Sequence, residues 1–481
     1  MRPLRLAVAI LASAIALTAI APALVDASSS APASASKAKK RHRVGGRVKL
    51  AWPYSNKGRP ADPLGRWLAR QSGPTCSKHR KKKNCPKLGT RPKRKSAKAS
   101  EAVAIPSVDR GPRRLDADPV ARIAATTGTL ATPLALTRSY EIPSGDPSYN
   151  RLLNWSWTYD SAISAAAFVA TGNQAQAKQL LDQLSALQFT DGSIDIAFDV
   201  STGQGAGTYR AGTIAWLGLA ATKYDGRFGV STYRTMAKKA ADYLLTLQDA
   251  SGLIRGGPGL TWFSTQHNLL AYTFLGHLAL ELNNAGDPSG FLKYGPAAAA
   301  IGNAISSKLL KTDTAGTRFI QGVNDNVEPL DVQALGSMFE VANGNTTTAK
   351  AVLSYAKNKF LVTGRSIVKS TDPATYNNTF SATGPFSGYK PYLGDTGPNV
   401  LWFEGTPMLR SATAAVGDST STLDSWITSW KAVTSSTVGP LQADQSLTNA
   451  AFGVEYHVWP AASPAAWVLL SQNAPTFFTS Y

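Results

Sequence analysis

The chain has 481 residues, 43% hydrophobic and 17% charged, with a formal net charge of +20 and two cysteines. So few cysteines exclude a disulfide-built scaffold. The charge is also unevenly placed. Residues 37–114 hold 25 Lys and Arg against Asp62, Glu101 and Asp109, a net of +22, whereas 115–481 hold 23 against 26, a net of −3. A basic fold made for nucleic acid is thereby excluded, because the charge lies outside the region that can build a core.

Residues 1–27 read as a signal peptide. Arg2 and Arg5 form a short basic start and Leu6 to Ile20 an apolar run. Ala21-Pro22-Ala23 or Val25-Asp26-Ala27 then offers small residues for cleavage. The run is too short for a comfortable membrane span, and no cysteine follows it for lipidation. The expectation is a secreted or cell-envelope-associated protein with no membrane span after cleavage. Residues 28–115 form a basic tail. Like charges at this density repel, so a mostly disordered segment is expected. Behind a signal peptide its partners would be anionic cell-envelope polymers rather than nucleic acid; a solvated linker is the alternative. Within it Trp52, Tyr54 and Trp67 offer aromatic surface for docking. Cys76 and Cys85 flank SKHRKKKN and are expected to pair as a disulfide that pinches off a cationic loop. Two cysteines and His79 do not make a zinc site. No phosphate loop appears, since IRGGPG lacks the Lys-Ser/Thr ending. No metal or cofactor is expected, and nothing sets an oligomeric state.

Residues 116–481 alternate two kinds of helix. Six apolar segments start near Asn154, Thr208, Trp262, Glu328, Leu401 and His457, each rich in Ala, Leu and Gly with few charges. Helices apolar nearly all round are buried ones. Between them lie helices with one wet face. QAQAKQLLDQLSALQ repeats Ala177, Leu180, Leu181, Leu184 and Leu187 at a helical period; TYRTMAKKAADYLLTLQDA repeats Met236, Ala240, Tyr243, Leu244 and Leu247. The spacing predicts an inner ring of six helices inside an outer ring. The sixth inner helix has almost no chain after it, so its outer partner is expected from Pro119 to Leu136. In such a ring the inner helices run the same way, and their N-terminal ends meet at one mouth. Each buried helix opens on polar or aromatic residues, as WFSTQHN does before LLAYTF. Convergence at a mouth, where N–H groups and helix dipoles also point, accounts for the pattern.

This alternation, with TYDSAISAAAFVATGN, DGSI, STQHNLLAYTF and EPLDVQALG, resembles bacterial proteins of the six-hairpin glycosidase-like group. The likeness runs from about Ser139 to Tyr481. It implies an all-α (α/α)6 toroid and a carbohydrate-active protein acting on a poly- or oligosaccharide. Relatives often carry Glu at the position of Gln266, which cannot exchange a proton.

Hydrolysis of a glycosidic bond needs two carboxyl groups, one to protonate the leaving oxygen and one to attack or activate water. The candidates are Glu328, Glu404, Asp160 and Asp331. Asp160 lies in a first helical turn and Asp331 follows Pro329, where either acid also gains from the dipole. Glu328 and Glu404 have no such duty, because Glu is a poor cap and Thr406-Pro407 starts its own helix; they are the preferred pair. Trp157, Tyr159, Tyr209, Trp402 and Trp459 offer flat faces for sugar rings, and Arg210, Gln266, His267, Asn268 and His457 offer hydrogen bonds to hydroxyls. Core packing is the competing role for the aromatics. Two other functions stay open: a polysaccharide lyase using Tyr, His and Arg, which calls for a basic mouth, and a non-catalytic glycan-binding toroid, which Gln266 favours.

Overall fold

The computed structural model describes residues 62–72, 133–325, 327–367, 384–394, 399–433, 439–449 and 454–479. Helices dominate. The inner set is α3 (Thr158–Ala170), α5 (Ala211–Phe228), α7 (Thr265–Asn284), α9 (Leu330–Ala342), α11 (Gly405–Ala415) and α13 (Ala462–Asn473). Each touches the next in that order, and α13 returns to α3, which closes the ring. In α3 every residue except Tyr159 is buried, as expected for a helix walled in on all sides.

The outer helices α4 (Gln174–Leu187), α6 (Arg234–Leu247), α8 (Pro288–Lys308), α10 (Thr346–Lys359) and α12 (Ser421–Val433) each pack on the inner helix before them. Leu180, Leu181, Leu184 and Leu187 of α4 point inward, the stripe that a 3.6-residue period demands.

The sixth outer position is filled from an unexpected place. The helix there is α1 (Pro63–Gln71), which packs on α13. It starts with Asp62 capping Leu64 N–H and Pro63 in the first turn, a strong start signal. Leu64, Trp67 and Leu68 form its buried stripe. Trp67 is 1% exposed; its ring lies where a Cβ on Gly439 would be, and its Nε1 donates to Glu141 Oε2 at 2.9 Å. Part of the segment expected to be a disordered tail is thus built into the toroid, and Trp67 docks there. The expected donor, Pro119 to Leu136, does not supply the described helix: 119–132 lie outside the described residues, and 133–136 form no helix. The residues that follow act as a strut between α3 and α13. Thr137 N–H donates to Ser161 Oγ, Ser139 Oγ accepts from Trp157 N–H, and Ser139 O accepts from Ala462 N–H.

A short helix, α2 (Tyr149–Leu152), and five two-stranded ladders decorate the ring. Those at the mouth pair β1 (Trp155–Trp157) with β2 (Ala197–Asp199), β5 (Glu328–Pro329) with β8 (Tyr392–Leu393), and β9 (Leu447–Asn449) with β10 (Val454–Tyr456). The other two are β3 (Leu310–Asp313) with β4 (Gly316–Phe319), and β6 (Leu361–Arg365) with β7 (Phe386–Tyr389). No helix among the described residues is long and apolar enough to cross a membrane. Cys76, Cys85, Trp52, Tyr54 and the signal segment lie outside the described residues.

Candidate active site

The first turns of all six inner helices line one cavity of about 350 Å³. They contribute Tyr159 and Asp160 of α3, Thr213 and Trp216 of α5, Gln266 and His267 of α7, Asp331 of α9, Met408 of α11 and Ser463 of α13, with Glu404 just ahead of α11. Trp216 lines the cavity and is backed by the chain's end: Phe477 stacks on it and Phe478 meets it edge-on, at 6.4 and 5.5 Å between ring centres.

Three acids line the cavity here, Asp160 and Glu404 buried and Asp331 half-buried. Glu404 precedes α11 and makes no cap bond, so its carboxyl is turned to the cavity. Oε1 accepts from Tyr159 Oη at 2.5 Å and Oε2 from Ser463 Oγ at 2.7 Å. Burial lifts its pKa to about 8, with Asp160 and Asp331 adding repulsion against those two hydrogen bonds. Asp160 is lifted by burial to about 7, held back by hydrogen bonds from Ser139 and Ser463. Asp331 is lifted by burial to about 6. Gln266 Nε2 donates to its Oδ2 at 2.6 Å, so the Gln of STQHN serves a carboxyl on the neighbouring inner helix.

A fourth acid lining the cavity, Glu455, is absent from the sequence-derived candidates. It lies in β10, its Oε2 accepting from Arg151 at 2.7 Å and meeting His457 Nε2 at 3.1 Å. Burial works to raise its pKa, but these partners outweigh burial and hold it below the usual Glu value. Its signal was Glu455-x-His457, a two-residue spacing that puts side chains on one side of extended chain, though β10 itself ends at Tyr456.

Glu328 is not at the cavity. It belongs to β5, not to the helix, which starts at Leu330. Its Oε1 accepts from Arg318 Nε at 2.6 Å and its Oε2 from Tyr355. An ion pair with Arg318 occupies it, which corrects the expectation that Glu328 and Glu404 meet at the same mouth.

Trp157, Tyr159, Arg210, Gln266, His267, Trp402 and His457 line the cavity; Tyr209, Asn268 and Trp459 do not. Tyr209 packs edge-on against Phe189 at 5.7 Å. Asn268 is fully buried and clamps the turn before α7, bonding Ile254 N–H and the carbonyls of Ile254 and Ser264. Trp459 is 3% exposed, stacks behind His457 at 3.5 Å and donates to Asp146. These three support the wall from behind. His267 reaches the cavity because residue 212 is glycine, where a Cβ would sit 2.4 Å from its Cδ2. Burial, aided by Arg210, lowers its pKa to about 3, so the ring is neutral, and its Nδ1 has no hydrogen-bond partner among the described residues.

No protein-family model matches this sequence, and no curated protein matches it. Solved structures do. A glycosidase carrying one Glu-to-Ala substitution aligns at a TM-score of 0.50 and 13% identity, over 71% of this chain and 92% of its own. A glycosidase with another Glu-to-Ala substitution, in complex with glucose, gives the same figures. At that identity the likeness is one of fold, and it agrees with the closed ring: the chain folds as an all-α (α/α)6 toroid.

Proposed function

We propose that this protein is a glycoside hydrolase acting on a poly- or oligosaccharide, exported as its first residues direct. The observation that carries the reading is the division of carboxyl groups within one cavity. Asp160, Asp331 and Glu404 are pushed towards their protonated forms, and Glu455 is held ionised. A general acid requires the first condition and a base or nucleophile the second. Glu404 serves as the acid on the leaving oxygen, and Glu455 activates water or attacks. Trp157, Trp402 and the His457 ring offer flat faces to the sugar, while Gln266, Arg210 and His267 meet its hydroxyls. A lyase calls for a basic mouth; four carboxyl groups in the lining argue against one.

The test is a screen of the full chain against cell-wall and plant glycans with reducing-end detection. Glu404→Gln and Glu455→Gln keep shape and remove proton transfer, so turnover should fall about 10²–10⁴-fold while ligand still binds. Parent rates in both variants would overturn the assignment. Glycans that bind the parent protein uncleaved would identify a binding toroid.

A further inference from the structure

Ser463 and Trp467 stand four residues apart on α13, so both face the same way. Each serves one oxygen of Glu404. Ser463 Oγ lies 2.7 Å from Oε2. Trp467 acts through α3: its Nε1 lies 2.8 Å from Tyr159 Oη, which lies 2.5 Å from Glu404 Oε1. The direction of these bonds is forced. An indole N–H only donates, so the phenol oxygen accepts from Trp467, and the phenol hydrogen goes to Glu404 Oε1. The two oxygens of Glu404 are therefore not equivalent. A hydrogen on Oε1 would point at the phenol hydrogen, whereas a hydrogen on Oε2 meets Ser463, whose hydroxyl can accept as well as donate.

The indole is itself held in place. Trp467 is 1% exposed. Phe478 stacks on it at 5.6 Å, and Trp216 meets it edge-on at 5.9 Å. Trp216 also meets Tyr159 edge-on at 5.7 Å. The donor cannot swing away from the phenol without moving this cluster.

We propose that Trp467 is a positioning residue for the acid: through Tyr159 it keeps Glu404 Oε1 as a permanent acceptor and reserves Oε2 as the oxygen that carries and delivers the proton. In the delivery the Oε2–H bond breaks as its proton joins the glycosidic oxygen. The bond from that oxygen to the anomeric carbon breaks with its electron pair on the oxygen, and the carbon passes to water or Glu455. Negative charge is left on Glu404, and the bond from Tyr159 strengthens as it develops. An interaction that strengthens in this way lowers the barrier. Delivery to a leaving group rests on the hydrolase reading; the placing of the proton on Oε2 does not.

Infrared spectroscopy of the full chain, without ligand, tests the assignment. At pH 5, below the raised pKa of Glu404, the difference between the parent and Glu404→Gln isolates the protonated carboxyl. Its C=O stretch should show a hydrogen-bonded carbonyl, because Oε1 accepts from Tyr159. Tyr159→Phe and Trp467→Phe, each compared with its own Glu404→Gln double variant, should both move the stretch to higher frequency. Combining the two should move it little further than Tyr159→Phe alone, since they act in one chain of bonds. Trp67→Phe, which removes an indole from the outer wall, should leave it in place and so separates positioning from general loosening. An unmoved band in Trp467→Phe would overturn the role of Trp467, and one in Tyr159→Phe the reservation of Oε2. Absence of a Glu404 band at pH 5 would overturn both, as there would be no proton to place. On a glycan that the parent cleaves, Trp467→Phe should lower kcat about five- to tenfold with KM unchanged, the worth of one hydrogen bond; parent kcat would overturn the catalytic use of the arrangement. Because the band is read without sugar, a failed glycan screen leaves that result standing, and an unmoved band leaves the screen standing.

Discussion

Replacing Trp67 tests whether α1 is an integral outer helix. The side chain is 1% exposed, packs on Gly439 and donates to Glu141. A Trp buries roughly 200 Å², which at about 25 cal/mol per Å² sets an upper bound near 5 kcal/mol. Trp67→Ala should therefore cost about 3–5 kcal/mol, the usual range for a buried Trp cut to Ala. Trp67→Phe keeps most of the packing and loses the bond to Glu141, so it should cost about 1–3 kcal/mol. Urea unfolding of the full chain, with proteolysis to detect release of α1, measures both. A loss below about 0.5 kcal/mol for Trp67→Ala would refute the docking.

Two further outcomes follow from buried charge. Glu404 has a folded pKa raised to about 8, so between the unfolded carboxylate range and pH 8 the folded state holds a proton that the unfolded state has lost. Its contribution to stability is complete below about pH 4 and is lost as pH rises through the folded value. Glu404→Gln removes that dependence. Its stability relative to the parent should improve by up to about 1.4 kcal/mol per pH unit from pH 5 to 8, and a constant difference in urea unfolding would contradict this. The comparison is made against the variant because His267 and Lys223, both with pKa lowered by burial, act in the opposite sense in both proteins. Glu328→Gln should leave turnover on a confirmed glycan unchanged and cost about 1–3 kcal/mol through the Arg318 bond; a turnover loss as large as that of Glu404→Gln would return Glu328 to the site.

The ring was legible in the sequence because burial dictates composition. A helix walled in on every side, such as TYDSAISAAAFVA, cannot carry charge beyond its first turn, and one with a wet face, such as QAQAKQLLDQLSAL, must repeat its leucines at helical spacing. The mouth was legible for the same reason, since only helix starts near solvent tolerate Asp160, Gln266 or Asp331. The errors have local causes. PLGRWLARQ has its cap, its proline and its Leu64-Trp67-Leu68 stripe, but the cations around it read as a tail, and charge density masks a short amphipathic stripe. Glu328 was assigned to a helix that begins two residues later, and strand alternation aims it at Arg318. Glu455 carries no helix-start signal, because a strand pair between α12 and α13 delivers it. The bond from Ser463 to Glu404 depends on which inner helices become neighbours at closure, which no spacing between positions 404 and 463 records.

The docking of α1 also joins two parts of the chain that are distant in sequence. Gln71 O accepts from Arg138 N–H at 3.2 Å, Ser72 Oγ meets Thr137 Oγ1 at 2.8 Å, and Gln179 Nε2 donates to Ser72 O. Ser72 and Thr137 are 65 positions apart in sequence yet lie side by side on the outer wall, so α1, the segment entering α3 and α4 are stitched together at a single point.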